Sequence, residues 1–208
     1  MRSVVRVYPG PFKQKILEER SICLDWGHNE ILSQRCLVLS VARHKKFDIL
    51  NLLSPDFGKI PAKLKIALPY YRRLEQGDIS DLDLLLSKNQ FFHVVGINRT
   101  RSLQKYFSPK LYEFQAFVLD LANKCLEFQS PCKEIFELIQ KILLLQNSDS
   151  QHLISLSHLL LDLLLRHHGF PIETDSPATS KLNFLLTQLD TKVYVQALLE
   201  LENFNVDC

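Results

Sequence analysis

Four basic residues follow directly on one another where the chain is expected to turn: Arg43, His44, Lys45 and Lys46. The apolar stretches on either side, Cys36–Ala42 and Phe47–Leu53, have the composition of two paired strands. Lysine and arginine side chains at such a turn can neutralise phosphate groups. The run therefore predicts a hairpin whose turn contacts phosphates.

Further cations and an aromatic residue follow along the next expected strands: Lys59, Lys63, Lys65, Tyr70, Arg72 and Arg73. Tyr70 and Tyr71 are strand neighbours that face opposite ways, so at most one of them can stack on a base. Cations spread over strands and loops, with aromatic side chains among them, are typical of proteins that hold single-stranded nucleic acid without sequence preference. The alternative for each single cation is a solvated surface charge. A third basic group lies beside Tyr106 and Phe107: Arg99, Arg101, Lys105 and Lys110.

The sequence lacks the common marks of catalysis. It contains no glycine-rich phosphate loop, dinucleotide fingerprint, nucleophile elbow or zinc-protease helix motif. His167 and His168 are adjacent and favour a helix-capping role over zinc binding. Asp81 and Asp83 lie in an acidic run at an expected turn and predict solvated surface. We therefore expect a protein that is not an enzyme and needs no cofactor or metal.

The charge is divided unevenly along the 208 residues. Residues 1–110 carry 19 Lys and Arg against 10 Asp and Glu, whereas residues 111–208 carry 6 against 13. The overall charge of +2 thus hides a basic half and an acidic half. Such asymmetry indicates nucleic-acid or membrane contact by the basic half.

The same division separates two kinds of structure. The basic half favours a small antiparallel sheet or barrel, with a turn at Ser54–Lys59 and one or two strands over Ala62–Leu74. The acidic half has helical periodicity. Its expected helices are Lys110–Phe128, a segment restarting at Ser130-Pro131 and running to Leu145, Gln151–His168, Thr179–Leu189 and Thr191–Leu201. The sequence therefore predicts an α+β protein with domains over residues 1–107 and 108–208.

Two further features bear on the compartment. No apolar stretch free of charged residues approaches the ~20 residues of a membrane-spanning helix, and the first residues lack a secretory apolar core. The five cysteines form no C-x-x-C pair, which suits reduced thiols. We expect a cytoplasmic protein that makes no membrane contact.

An ordered series of segments resembles the bacterial recombination mediator RecO. The first segment, Cys36–Ile60, consists of a strand, a polar turn, a second strand and a Ser-Pro-x-x-Gly-Lys turn. Two shorter segments follow in the basic half: Ala67–Tyr70, which reads Ala-Leu-Pro-Tyr, and Gly77–Leu82. In the acidic half the series continues with the helical segments from Leu111 to Ile139 and with Leu159–Pro171, which ends in Leu-Leu-Leu-Arg-His-His-Gly-Phe-Pro. The resemblance covers about residues 34–173. It implies an N-terminal OB-like barrel and a helical domain. It also implies binding and annealing of single-stranded DNA, and work with RecR, RecF, RecA and the tail of single-strand-binding protein.

The sequence departs from the RecO pattern in three places. The Gly58-Lys59 turn runs almost directly into Ala62, where the family has a basic Ala-Lys-Gly-Ala-Arg segment, so a strand and a basic loop are expected to be absent. The paired C-x-x-C zinc site is also absent. About 33 residues precede the matched region, and strands within them are candidates to replace the lost one. Two hypotheses stay open: a DNA-binding mediator, and a protein–protein adaptor that has lost DNA binding.

Overall fold

The computed structural model describes residues 31–66, 73–87, 91–102, 109–172 and 176–193, together with Leu198. Within these residues five strands precede four helices, so the predicted α+β class is confirmed. The strands are β1 (Ile31–Arg43), β2 (Phe47–Ser54), β3 (Gly58–Lys65), β4 (Ile79–Leu86) and β5 (Phe92–Arg101). Strands and helices belong to one compact unit that begins at Ile31.

The five strands pair into a sheet that closes on itself. Strand β1 pairs antiparallel with β2 and β4, and β2 pairs antiparallel with β3. Strand β5 pairs antiparallel with β4 and parallel with β3 over a short stretch. The order is therefore β1-β2-β3-β5-β4, with β4 returning to β1. Register shifts interrupt the β1–β2 and β4–β5 ladders, so the closure is irregular.

Side-chain alternation fills the interior of the closed sheet. Successive strand residues point to opposite faces, and one face of each strand is apolar. The interior is formed mainly by Cys36, Val38, Leu50, Leu52, Ile60, Ala62, Leu64, Leu82, Leu84, Phe92 and Val94. The predicted β1–β2 hairpin is confirmed, with Arg43 opposite Asp48 at its turn end.

Four helices follow in the described residues: α1 (Pro109–Cys125), α2 (Lys133–Leu143), α3 (Ser150–His167) and α4 (Ala178–Gln188). The carboxylate of Asp149 caps α3 by accepting a hydrogen bond from the His152 backbone N–H at 2.7 Å. Gly169 ends the same helix in the left-handed conformation, with φ 74°. None of the helices in the described ranges combines the length and apolarity needed to cross a bilayer.

The outer face of the sheet packs against the helices. Leu37 and Leu39 alternate with the interior residues of β1, so they point outward, and both are fully buried in a core shared with the helices. Leu53 of β2 and Ile79 of β4 join the same core. The outer face of the sheet is therefore apolar where the helices cover it.

A glycine lies where the sheet closely approaches the segment between α1 and α2. Gly58 begins β3 with φ 67°, and a side chain at this position would overlap the backbone carbonyl group of Ser130. The next residue, Lys59, forms an isolated bridge with Phe128 just beyond α1. The Ser54–Lys59 turn thus contacts the helical part through backbone atoms.

Several expectations from the sequence were wrong. The described residues supply all five strands of the closed order, so the strand expected to be absent is present. The first strand expected from Ala62 begins instead at Gly58 and ends at Lys65, because the turn occupies only Pro55–Phe57. Most of the remaining stretch to Leu74 lies outside the described residues. The sheet is not wholly antiparallel. The expected strands before Ile31 and most of the Thr191–Leu201 helix lie outside the described residues.

The acidic pair expected at a turn lies instead in strand β4. Asp81 accepts a hydrogen bond from the Arg35 Nε at 3.0 Å, and Asp83 accepts one from the Ser33 hydroxyl at 2.5 Å. Both carboxylates are on the outer face, and their intervening neighbour Leu82 fills the interior. Alternating Asp and Leu is therefore the pattern of a half-buried strand.

Candidate nucleic-acid interface

The β1–β2 turn presents cations to solvent at one end of the closed sheet. The turn is closed by a hydrogen bond from the His44 backbone N–H to the Phe47 carbonyl at 3.0 Å. His44, Lys45 and Lys46 are all exposed. Neither lysine forms an ion pair with any residue that the structure describes. Both ammonium groups are therefore available to an anionic partner.

An aromatic pair stands beside these cations. The ring of His44 stacks on that of Phe47, with 4.8 Å between centroids and 26° between planes. The Lys63 Nζ lies 3.9 Å from the centroid of the same Phe47 ring. His44 is exposed and Phe47 is half-buried, so Phe47 covers one face of the imidazole ring and the other face is open. Another flat ring can stack on that open face.

The end of strand β3 extends the same surface. Lys65 is exposed and pairs in register with Phe47, and the backbone N–H of Ile66 donates to the Lys46 carbonyl at 3.2 Å. We call the set His44, Lys45, Lys46, Phe47, Lys63 and Lys65 the turn surface. Arg73 is exposed and precedes Leu74, whose carbonyl accepts from Arg43 at this same end of the sheet.

Arg43 differs from its neighbours in the basic run because its guanidinium is used within the fold. It donates from Nη1 to the Asp48 carboxylate at 2.5 Å and from Nη2 to the Leu74 carbonyl at 2.8 Å. The Asp48 side chain is completely buried. A buried carboxylate needs a counter-charge, so Arg43 stabilises the end of the sheet.

Lys59 is also a structural cation. It is 7% exposed, and its ammonium group donates to the carbonyls of Asn123 and Leu126 at the end of α1. It also lies 4.5 Å from the centroid of the Phe128 ring. Burial lowers the pKa of Lys59 below its ordinary value. Lys59 thus satisfies helix-end carbonyls and joins the sheet to the helices.

Of the ten residues predicted from the sequence, five form one exposed or half-buried group: His44, Lys45, Lys46, Lys63 and Lys65. Arg73 flanks them, whereas Arg43 and Lys59 are engaged internally. Tyr70 and Arg72 lie outside the described residues. Phe47 is not among the residues predicted from the sequence, although the predicted hairpin places it directly after the turn cations.

Replacing Lys59 with methionine should separate its structural role from nucleic-acid binding. We expect Lys59→Met to lower the free energy of unfolding by about 1–2 kcal/mol, because two carbonyls lose their donor. The unfolded chain holds the lysine proton more tightly than the folded chain does. Wild-type stability relative to the variant should therefore increase as pH rises toward 10.5.

Urea unfolding of both proteins from neutral to alkaline pH measures this difference. Oligonucleotide affinity, measured well below the unfolding transition, should be unchanged in Lys59→Met. A clear loss of affinity in a folded Lys59→Met protein would instead assign this lysine to the interface.

The described thiols and histidines offer little reactive chemistry. Burial raises the pKa of Cys36 and Cys125 to about 12 and that of Cys132 to about 11, so these thiols stay protonated at neutral pH. The ring of His167 lies 3.3 Å from the Ser130 hydroxyl, and that of His168 lies 2.7 Å from the Cys125 carbonyl. Burial and the neighbouring His168 lower the pKa of His167.

Within the described ranges, no three His, Cys, Asp or Glu residues gather as a metal site would require. The turn surface therefore stands out by its exposed charge and stacked rings.

No protein-family model matches this chain, and no curated protein is significantly similar to it.

Proposed function

We propose that this protein binds single-stranded DNA through the turn surface and acts as a recombination mediator of the RecO kind. The supporting observation is the position of the turn surface in the strand order. An OB fold is a five-stranded Greek-key barrel that binds oligonucleotides on its second and third strands and on the loops after its first and fourth strands. The closed order β1-β2-β3-β5-β4 suits an OB-like fold. The cations of the turn surface lie at the first of these loops and on β3.

The chemistry of the turn surface suits a single strand better than a duplex. Lys45, Lys46 and Lys65 can each approach a phosphate group, because their ammonium groups have no acidic partner in the described residues. The outer face of His44 can stack on an unpaired base, with Phe47 behind it. Neither contact reads a base edge, so binding should be largely independent of sequence.

The rest of the mediator function follows from the resemblance to RecO. Annealing of complementary strands needs a surface that holds phosphates and leaves base edges open, which is how the turn surface would bind. Within this proposal, the helical part would recruit RecR, RecF, RecA or the tail of single-strand-binding protein. No nucleotide or metal cofactor is needed for these steps.

Charge reversal at the turn tests the DNA-binding step. We expect Lys45→Glu/Lys46→Glu to weaken binding of a labelled single-stranded oligonucleotide about twentyfold at 0.1 M salt, since two phosphate contacts are lost. The matched control is Lys141→Glu/Lys192→Glu, which makes the same charge change at two exposed positions in the helical part. The control should bind nearly as the wild type does.

Fluorescence anisotropy measures both affinities. Equal weakening by the two double variants would mean that only net charge matters, and would remove the turn surface from the proposal. Circular dichroism melting shows that the variants are folded, which is expected because all four lysines are exposed.

A second candidate is an adaptor that has lost DNA binding. It is favoured by the internal use of Arg43 and Lys59, and by the contact of Lys63 with Phe47, which together reduce the exposed charge. The adaptor predicts no measurable oligonucleotide binding by the wild type even at low salt. The mediator predicts binding that weakens steeply as salt is added.

A further inference from the structure

A second group of cations lies on the outer face of the sheet, away from the turn surface. Arg35 of β1 pairs in register with Asp81 of β4, which in turn pairs with Arg99 of β5. Arg101 lies opposite Ile79 and two residues farther along β5. Register partners share a face, so the three arginines lie around Asp81 and line one cavity of about 100 Å³.

This cavity carries more positive than negative charge. Asp81 accepts one hydrogen bond from the Arg35 Nε at 3.0 Å, and both side chains are partly exposed. Arg99 and Arg101 are exposed, and neither forms an ion pair with any residue in the described ranges. Three guanidinium groups and one carboxylate leave a charge of about +2 at the cavity.

The residues that line the cavity limit the size of the ligand that can enter it. Ile79 is buried in the core shared with the helices, and Gln140 of α2 lines the cavity from the helical side. The volume suits one compact tetrahedral group better than a nucleobase with its sugar. Arginine is the side chain best suited to such a group, because its planar fork donates two parallel hydrogen bonds to oxyanions.

The cavity is also distinct from the turn surface. Arg35 and Arg43 are eight residues apart on the same strand, which corresponds to about 26 Å at the rise of an extended chain. Removal of the turn lysines should therefore leave the cavity intact. Binding at the two places can be measured separately.

We propose that this cavity binds a phosphomonoester group, such as the terminal phosphate of a nucleic-acid strand or free inorganic phosphate. A phosphomonoester carries about −1.5 to −2 charges at neutral pH, which balances the cavity. A phosphodiester carries a single negative charge and leaves one cation without a partner. Gln140 can donate a further hydrogen bond from its amide.

The test compares short oligothymidines that carry a 5′-phosphate, a 3′-phosphate or hydroxyl groups at both ends. We expect at least one phosphorylated end to raise affinity about fivefold or more in the wild type at constant ionic strength. Arg99→Gln/Arg101→Gln should abolish that preference. Arg166→Gln, which removes an exposed guanidinium elsewhere, and Lys45→Glu/Lys46→Glu should both retain it.

A titration with inorganic phosphate shows whether the ligand is the free ion or the phosphate at the end of a strand. If phosphate shifts the NMR signals of the Arg99 and Arg101 Nε–H groups but no phosphorylated end is preferred, the cavity takes the free ion. A preference for a phosphorylated end assigns it to strand termini. If neither effect is seen, or if Arg99→Gln/Arg101→Gln weakens phosphorylated and hydroxyl oligonucleotides equally, the proposal is overturned.

A more conservative variant, Arg101→Lys, keeps the proposal testable if Arg99→Gln/Arg101→Gln does not fold. Arg101→Lys keeps the charge but loses the two parallel donors, so it should reduce the preference for a phosphorylated end without changing the melting temperature. Full preference in a folded Arg101→Lys protein would contradict the bidentate contact proposed for this arginine. Failure of the turn surface to bind DNA would not affect the phosphate titration, so the two proposals are independent.

Discussion

Replacing Gly58 with alanine is expected to lower the free energy of unfolding by about 3 kcal/mol or more. Two costs combine at this position. The left-handed φ of 67° is unfavourable for any residue with a side chain, and the new methyl group would overlap the Ser130 carbonyl. Since that carbonyl belongs to the backbone, relief requires movement of the sheet against the helices.

Gly169 provides the matched control for this prediction. It has a similar φ of 74°, but no atom lies within 4 Å of the position that a side chain would occupy. Gly169→Ala should therefore cost about 1 kcal/mol, from backbone conformation alone. Urea unfolding of the two variants measures the difference, and equal destabilisation would contradict the close contact at Gly58.

Replacing Arg43 with methionine is expected to destabilise the protein by about 3 kcal/mol, because it leaves the buried Asp48 carboxylate without its counter-charge. The value lies at the low end for a broken ion pair because Arg43 itself is 37% exposed. The aliphatic part of methionine preserves the contacts of the arginine stem. The loss is therefore electrostatic and should depend on Asp48.

The double variant Arg43→Met/Asp48→Leu tests that dependence. An apolar pair of similar size should recover most of the lost stability, because no charge then remains buried. Thermal and urea unfolding of the single and double variants complete the cycle. If the second substitution adds to the loss instead of relieving it, the ion pair is not the source of the Arg43 effect.

The hairpin that carries the turn surface could be predicted from local patterns. Cys36–Ala42 and Phe47–Leu53 are apolar stretches of strand length separated by a short polar run, and their pairing needs no distant residue. The ends of α3, predicted at Gln151 and His168 and found at Ser150 and His167, are equally local features, because Asp149 and Gly169 act on their immediate neighbours. Local chemistry was sufficient in both cases.

Local patterns could not predict which cations are used within the fold and which face solvent. Lys59, Lys63 and Lys65 share one face of β3, yet Lys59 lies beneath the end of α1 while Lys65 faces solvent. That difference depends on where the helices pack, which no spacing within the strand encodes. Arg43 likewise acquires its role from Asp48 and Leu74, one across the hairpin and one far along the chain.

The cavity around Asp81 could not be predicted either. Arg35, Asp81 and Arg99 are separated by 46 and 18 positions in the sequence, and only the register of three strands places them side by side. The sequence prediction placed Arg99 and Arg101 in one basic group with Lys105 and Lys110, because these residues are close along the chain. Strand pairing instead groups them with β1 and β4.

The salt dependence of DNA affinity tests the central proposal most directly. For the wild type, the logarithm of the association constant should fall with the logarithm of salt concentration with a slope of about −2, as three phosphate contacts predict. Lys45→Met/Lys46→Met should reduce the slope to about −0.7, whereas Lys141→Met/Lys192→Met should leave it unchanged. No binding at low salt, or the same slope in all three proteins, would contradict the assignment of the turn surface to single-stranded DNA.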